Sequence, residues 1–283
     1  RVITFENTSE SSQNTTSSII GFTLTNGSWG GSGAGIYVYH GSLYMEDLIV
    51  YNNITNDFGG GILIQASSNS VISNTIIKDN ESNNSGGGLA CIDSNVEINN
   101  VDIFNNNADN VGAGMEIKGN SKPIGSRIAI YENFSGGAGG GMFIRDASEP
   151  HFDHATIISN ESDTWGGGIA GKYGVNIKIT NSILWNNSPQ QLAMSEYDDN
   201  ENIFVLSTND IEDGLESIQT GNNDNIFWLD GNIDEDPGFN DELITYAIDS
   251  NSPCINIGIQ DTILIYNEFL DNLVKRLQQQ SGQ

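Results

Sequence analysis

Positive charge is what this 283-residue chain has least of: 10 Lys and Arg stand against 37 Asp and Glu, a net charge of −27. A field of that sign repels phosphate backbones, so nucleic acids and anionic membrane surfaces are excluded as partners. No stretch approaches the 18 or more apolar residues that a spanning helix needs, so no membrane insertion is expected. Cysteine is nearly absent. Only Cys91 and Cys254 occur, and Cys91 falls on the inward face of a strand pattern, where it reads as a small buried hydrophobe and not as half of a disulfide. Helical periodicity is missing from all but the last residues, and no secretory leader is visible. Because the chain opens on Arg1 with a strand-like "RVITF" in progress, the expectation is a fragment or processed product.

Glycine, by contrast, is abundant and regularly placed. Gly33-Ala34-Gly35-Ile36, Gly59-Gly60-Gly61-Ile62, Gly86-Gly87-Gly88-Leu89, Gly112-Ala113-Gly114-Met115, Gly139-Gly140-Gly141-Met142 and Gly166-Gly167-Gly168-Ile169 recur at steps of 26, 27, 26, 27 and 27 residues. A fixed period of this length is the mark of a solenoid. Leucine-rich repeats have a similar length but need helical filler, whereas the filler here is Asn, Ser, Thr, Gly and β-branched residues, suited to strands and tight turns.

After each triplet the apolar residues alternate, as in Ile36/Val38, Ile62/Ile64, Leu89/Cys91, Met115/Ile117 and Met142/Ile144, which is a half-buried strand. Six positions before each triplet lies a column of Gly27, Asn53, Asn80, Asn106, Asn133 and Asn160. Both residue types tolerate positive φ, so the column predicts one left-handed turn residue per repeat, and stacked Asn amides can also bond along a ladder. Further apolar columns, Leu24 to Ile157 and Met45 to Ile179, complete three short strands per repeat. Equivalent strands one repeat apart can pair only in parallel, at about 4.8 Å per coil. The fold expected is all-β, a right-handed parallel β-helix of about seven coils of 26 or 27 residues. The glycines mark a corner where a side chain would meet the next coil. Coils are expected over 1–192, an irregular acidic cap over 193–262 and an amphipathic terminal helix over 263–283, with Phe269, Leu270, Leu273, Val274 and Leu277 at helical spacing.

The triplets, together with "GFTLTNG", "NSILWNNSPQQ", "DEDPGF" and "NSPCINIG", resemble bacterial right-handed β-helix repeat proteins of the pectate-lyase-like superfamily over about Arg1 to Asp261. The resemblance implies secretion or surface display. It implies either polysaccharide lyases and hydrolases, often helped by Ca²⁺, or non-catalytic adhesins and spikes. Fold alone does not choose between these.

Chemistry is most visible on the outward face of the post-glycine strands. Six residues after each first glycine come Tyr39, Gln65, Ile92, Lys118, Arg145 and Lys172, so three of the ten basic residues fall on successive coils. Like charges about 5 Å apart repel by about 1 kcal/mol even in water, which calls for a facing anion. One reading places an acidic polysaccharide across the coils, with Tyr37, Tyr39 and Phe143 offering ring faces. Another makes Lys118, Arg145 or Lys172 the base of a lyase. The structural alternative is that Glu116, Asp146 and Glu149 simply neutralise the cations. His151 and His154 flank Phe152, but residues three apart on a strand face opposite sides, so they read as one exposed turn His and one in the turn column of Asn74, Asn100 and Asn181. Asp230, Asn232, Asp234 and Asp236 alternate loosely like a Ca²⁺ loop, without its glycine or its bidentate Glu. The sequons at Asn53 and Asn160 coincide with the ladder and are expected to be incidental. The function expected is that of a non-catalytic extracellular protein for adhesion, glycan binding or a structural role, with no required cofactor and calcium as the only candidate. It is expected as a monomer or as part of a longer surface protein. The alternative is a lyase or hydrolase acting on an acidic polysaccharide.

Overall fold

The structure is a computed structural model that describes residues 1–7, 17–66, 69–197, 199–239, 246 and 248–258. It is a right-handed parallel β-solenoid of about seven turns. Among the described residues, three sheets of eight, thirteen and six strands run along its length. The first contains Ile3–Glu6, Ile36–Tyr39, Ile62–Gln65, Leu89–Ile92, Met115–Lys118, Met142–Arg145, Ile169–Lys172 and Leu192–Met194. All neighbours pair in parallel, so that Ile36, Ile62, Leu89 and Met115 stand in one column. The main path of the second sheet passes from Ser17–Ile20 through Asn69–Lys78, Asn95–Phe104 and His151–Ile158 to Asn225–Trp228. The third consists of two-residue strands from Ser28–Trp29 to Glu161–Ser162. Pairing continues past residue 192, through Ile203–Ser207 onto Asn225–Trp228. Among the described residues, no helix is long and apolar enough to cross a membrane. Residues 263–283, read as an amphipathic helix, lie outside the described residues.

The core is a tube filled by inward columns. Val38, Ile64, Ile117 and Ile144 are fully buried, with Cys91 among them, and Met45, Ile72, Ile98, Phe152 and Ile179 form a facing column. Size is balanced between coils: a Cβ on Gly125 would lie 2.5 Å from the ring of Phe152, so the absent side chain of one coil accommodates the large ring of the next. Long strands of the second sheet bend at one left-handed residue each, Asn74, Asn100, Arg127 or His154, and Asn181 takes the same conformation between Asn176–Thr180 and Ile183–Trp185. That bend lets Ile72 and Thr75, an odd number of residues apart, both point inward.

The Asn column does form a ladder. Asn53 Nδ2 donates to Asn80 Oδ1 at 2.9 Å, Asn80 Nδ2 to Asn106 Oδ1 at 3.0 Å, Asn106 Nδ2 to Asn133 Oδ1 at 3.0 Å and Asn133 Nδ2 to Asn160 Oδ1 at 2.9 Å. Each rung also takes the backbone N–H of the preceding coil, as in Asn80 N to Asn106 Oδ1 at 3.0 Å. The expectation that these same asparagines are left-handed is wrong. Positive φ falls one residue earlier, at Asn26, Asn52, Asp79, Asn105, Glu132, Ser159 and Asn186. The turn needs a left-handed residue at its tip, and the next side chain, now aimed inward, must satisfy buried backbone. Because Asn53 and Asn160 are buried rungs, their sequons are not open to a glycan.

The glycine triplet divides its work. The first has positive φ in every repeat, from 64° at Gly112 and Gly166 to 72° at Gly33. The third is pressed against the next coil: a Cβ on Gly114 would sit 2.5 Å from the Gly141 carbonyl oxygen and 3.1 Å from Asn133 Nδ2. Gly114→Ala is therefore expected to cost about 1–3 kcal/mol, as overpacking of a rigid interior does. Urea denaturation would show it as a lower midpoint, and a midpoint equal to wild type would show that the corner can relax.

Candidate binding face

Two outward columns line the first sheet, and they have opposite fates. In the inner of these, Leu63, Ala90, Glu116 and Ala170 are fully buried and Phe143 is 3% exposed. The chain before each glycine triplet folds back over this face, packing Phe58 against Leu63 and Ala90, and Val111 and Trp165 against Phe143 and Ala138. Phe143 meets Trp165 edge to face at 5.8 Å between centroids. Phe143 is thus no sugar platform: it belongs to a small apolar cluster outside the main tube. The first glycine permits the fold-over, since a Cβ on Gly139 would approach the Phe143 Cβ to 2.9 Å.

The second column stays half open at Tyr39, Gln65, Lys118, Arg145 and Lys172, while Ile92 is buried. Arg145 pairs directly with Lys172 across the sheet, and the rows on either side place Lys118 on the preceding coil. Each cation has a different neighbour. Lys118 Nζ lies 3.5 Å from the centre of the Phe58 ring. Arg145 reaches Glu116 Oε1 through Nη2 at 2.7 Å and Nε at 3.1 Å, with Asp146 at 3.9 Å. Lys172 Nζ sits 4.2 Å from the Tyr173 ring. Glu116 and Asp146 therefore neutralise Arg145, but Glu149 pairs with Lys122 instead, at 2.9 Å.

Burial raises the Glu116 carboxyl above the usual carboxylate range, opposed by Lys118 and Arg145. Its Oε2 has no hydrogen-bond partner among the described residues. Burial likewise lowers the Lys118 ammonium, against the pull of Glu116. Tyr37 and Tyr39 are not gathered with the cations, because the Gln65 and Ile92 rows intervene. The face of Tyr37 is already covered by the Arg1 guanidinium at 4.0 Å. Tyr173 is the ring that sequence reasoning missed. It is 43% exposed and left-handed at φ 64°, and the following Gly174 was the available sign of a tight turn there.

The remaining candidates disperse. His154 does occupy the left-handed column, but His151 is a half-buried strand residue and not an exposed turn. Burial lowers its imidazole pKa, and it contacts Thr180 Oγ1 at 3.3 Å. Asn232 accepts from Asn209 Nδ2 at 3.0 Å, in the row of Ser182 and not in that of the Asn53 to Asn160 ladder. Asp234 accepts from the backbone of Asp213 and Asp236 from that of Gly238, while Asp230 lends its carbonyl to Thr208. These four residues serve the backbone of the closing coils, so they do not converge on one ion. Among the described residues, no three His, Cys, Asp or Glu side chains gather in a metal-holding group. Both cysteines are free. Burial pushes the Cys91 thiol up to about 12, and Cys254 donates to Asp210 Oδ2 at 3.0 Å.

No curated protein matches the chain. Among solved structures, the crystal structure of pectate lyase Pel9A is similar at 13% identity and a TM-score of 0.42, covering 85% of this chain and 82% of that one. The family model described as right handed beta helix region matches residues 3–232. With most of its length so matched, the chain belongs to the right-handed β-helix family.

Proposed function

We propose that this β-helix is a non-catalytic extracellular protein that binds an acidic polysaccharide along Lys118, Arg145 and Lys172. The observation that carries the reading is the row itself: three basic side chains on consecutive coils of a chain with net charge −27. Among the described residues Arg145 is bridged to carboxylates, whereas Lys118 and Lys172 lie over rings. Lys118 shares the field of Glu116 and Asp146 with Arg145, so three cations in one row gain from a ligand that brings further carboxylates at coil spacing. Tyr173, exposed beside Lys172, adds a ring that can lie against a sugar. The acidic composition and the resemblance to surface-displayed β-helix proteins support an extracellular setting.

A second reading has one observation in its favour. Burial draws Lys118 toward its neutral form, as a base that removes a proton beside a uronate carboxylate requires. Arg145 is unsuited to that task, because a guanidinium stays protonated.

Lys172→Ala tests the row most cleanly, since Arg145 and Lys118 both offset the buried Glu116 and Arg145 bridges it directly. On an acidic-glycan column eluted with salt, Lys118→Ala and Lys172→Ala are each expected to elute earlier, and the double variant close to the void. Unchanged elution of the double variant would remove the proposal. Incubation with uronate polymers, followed by the absorbance of new double bonds, separates lyase from binder. A signal that Lys118→Ala abolishes would replace the first reading with the second.

A further inference from the structure

A separate cleft of about 810 Å³ lies on the other side of the tube, between the second sheet and the returning segment 248–258. That volume is within the usual range for small-molecule sites, about 300–1,000 Å³. One wall is the left-handed turn column His154, Asn181 and Thr208, each one coil from the next. The opposing wall is the returning segment, with Ile255 and Ile257.

The polar wall is pre-organised by a chain of hydrogen bonds across three coils. Thr208 Oγ1 donates to Asn181 Oδ1 at 2.8 Å, and Asn181 Nδ2 and Thr180 Oγ1 donate to Asp153 Oδ1 at 2.8 and 2.7 Å. The other oxygen of Asp153 holds His154 Nδ1 at 2.7 Å. Burial raises the Asp153 carboxyl, but the donors from Thr180, Asn181 and His154 outweigh it, so its pKa lies below the usual carboxylate range. With Nδ1 committed, Nε2 is the ring atom left for a ligand, the arrangement by which a carboxylate fixes an imidazole toward a site. Thr156 Oγ1 is also uncommitted among the described residues, and the Thr208 hydroxyl keeps acceptor capacity.

The lining also states what is excluded. Among the described residues it contains no Lys or Arg, and it includes the Asp210 carboxyl, which burial raises above its ordinary range. An anion would find no counter-charge there. The lining offers His154, Thr156 and Thr208 as hydrogen-bonding groups and Ile183, Ile255 and Ile257 as apolar surface, the two kinds of contact that the hydroxyl edge and C–H face of a neutral sugar require.

We propose that this cleft is a second ligand site, selective for a neutral sugar, in which His154, Thr156 and Thr208 receive the hydroxyls. It shares no residue with the Lys118, Arg145 and Lys172 row. The test is titration with cellobiose, maltose and lactose, with digalacturonate as the charged control, followed through the imidazole C–H signals of the three histidines His40, His151 and His154. Saturable movement of His154 with at least one neutral disaccharide, absent with digalacturonate and leaving His40 in place, is expected. Calorimetry on Thr156→Val and His154→Ala should then show affinity lower by about tenfold each, the loss of one hydrogen bond. Lys118→Ala/Lys172→Ala should bind the neutral sugar unchanged, which keeps this outcome distinct from that of the acidic-glycan test. No His154 movement up to about 50 mM, well above a Kd of about 1 mM, would overturn the site. So would equal movement of His40, stronger response to digalacturonate, or undiminished affinity in both variants.

Discussion

Replacing Asn106 with Leu is expected to lower the stability of the fold by about 3 kcal/mol or more, although the two side chains are close in volume. Asn106 Oδ1 accepts both the backbone N–H and the Nδ2 of Asn80 at 3.0 Å, and its own Nδ2 donates to the Ile77 carbonyl and to Asn133 Oδ1, also at 3.0 Å. Leucine removes all four bonds. Asn80 Nδ2 keeps the Val50 carbonyl, but the buried Asn80 N–H loses its acceptor. An orphaned buried donor costs about 1–3 kcal/mol and each lost bond adds about 0.5–1.5. Asn107 is the control: its side chain is exposed, so Asn107→Ala should stay within about 0.5 kcal/mol. Urea midpoints of the two variants decide the matter. If Asn106→Leu behaves like Asn107→Ala, the ladder contributes specificity of register but not stability. Since each coil touches only its neighbours, the loss should also appear as a broader transition, with the coils on either side of the broken rung melting less cooperatively.

The second large effect is expected at Arg145. Arg145→Met leaves Glu116, whose side chain is fully buried, without its direct partner, and breaking a buried pair from one side costs about 3–5 kcal/mol. The pH dependence identifies the cause. Burial already raises the Glu116 carboxyl in the folded protein, and loss of Arg145 raises it further. A carboxyl whose folded pKa exceeds its unfolded one contributes its stability below the unfolded value and loses it as pH rises through the folded value. Between about pH 4 and 8, across the ordinary Glu range of about 4.3 and upward, the deficit of Arg145→Met should therefore grow with pH. Adding Glu116→Gln should flatten it. A deficit independent of pH would mean that the guanidinium serves by packing alone.

How much of this was legible differs by residue. The corner glycines and the ladder asparagines could be read because one backbone geometry, repeated each coil, imposes one residue type: only glycine clears the next carbonyl at Gly114, and only an amide satisfies the turn at Asn106. The left-handed position was misplaced by one residue because Asp79, Glu132 and Ser159 share it, and a conformational demand that several residues meet leaves a weak column. The outward face of the first sheet is less open than its sequence pattern implies for another reason. Phe58, Val111, Ala138 and Trp165 cover it from irregular segments, whose placement depends on tertiary packing and not on local period. The same holds for the cleft. His154, Asn181 and Thr208 belong to the turn column, but only the non-repeating segment 248–258 closes a volume against them.

The 26- or 27-residue period also has a consequence for how such a molecule changes size. Because Leu89 meets Ile62 on one side and Met115 on the other through identical pairings, an internal duplication of one unit creates two copies of a joint that already works. Growth by tandem copying thus needs no new fold, and it lengthens every row of outward side chains by one step. The reach of the surface can be set by gene duplication alone, while point substitution writes its chemistry coil by coil.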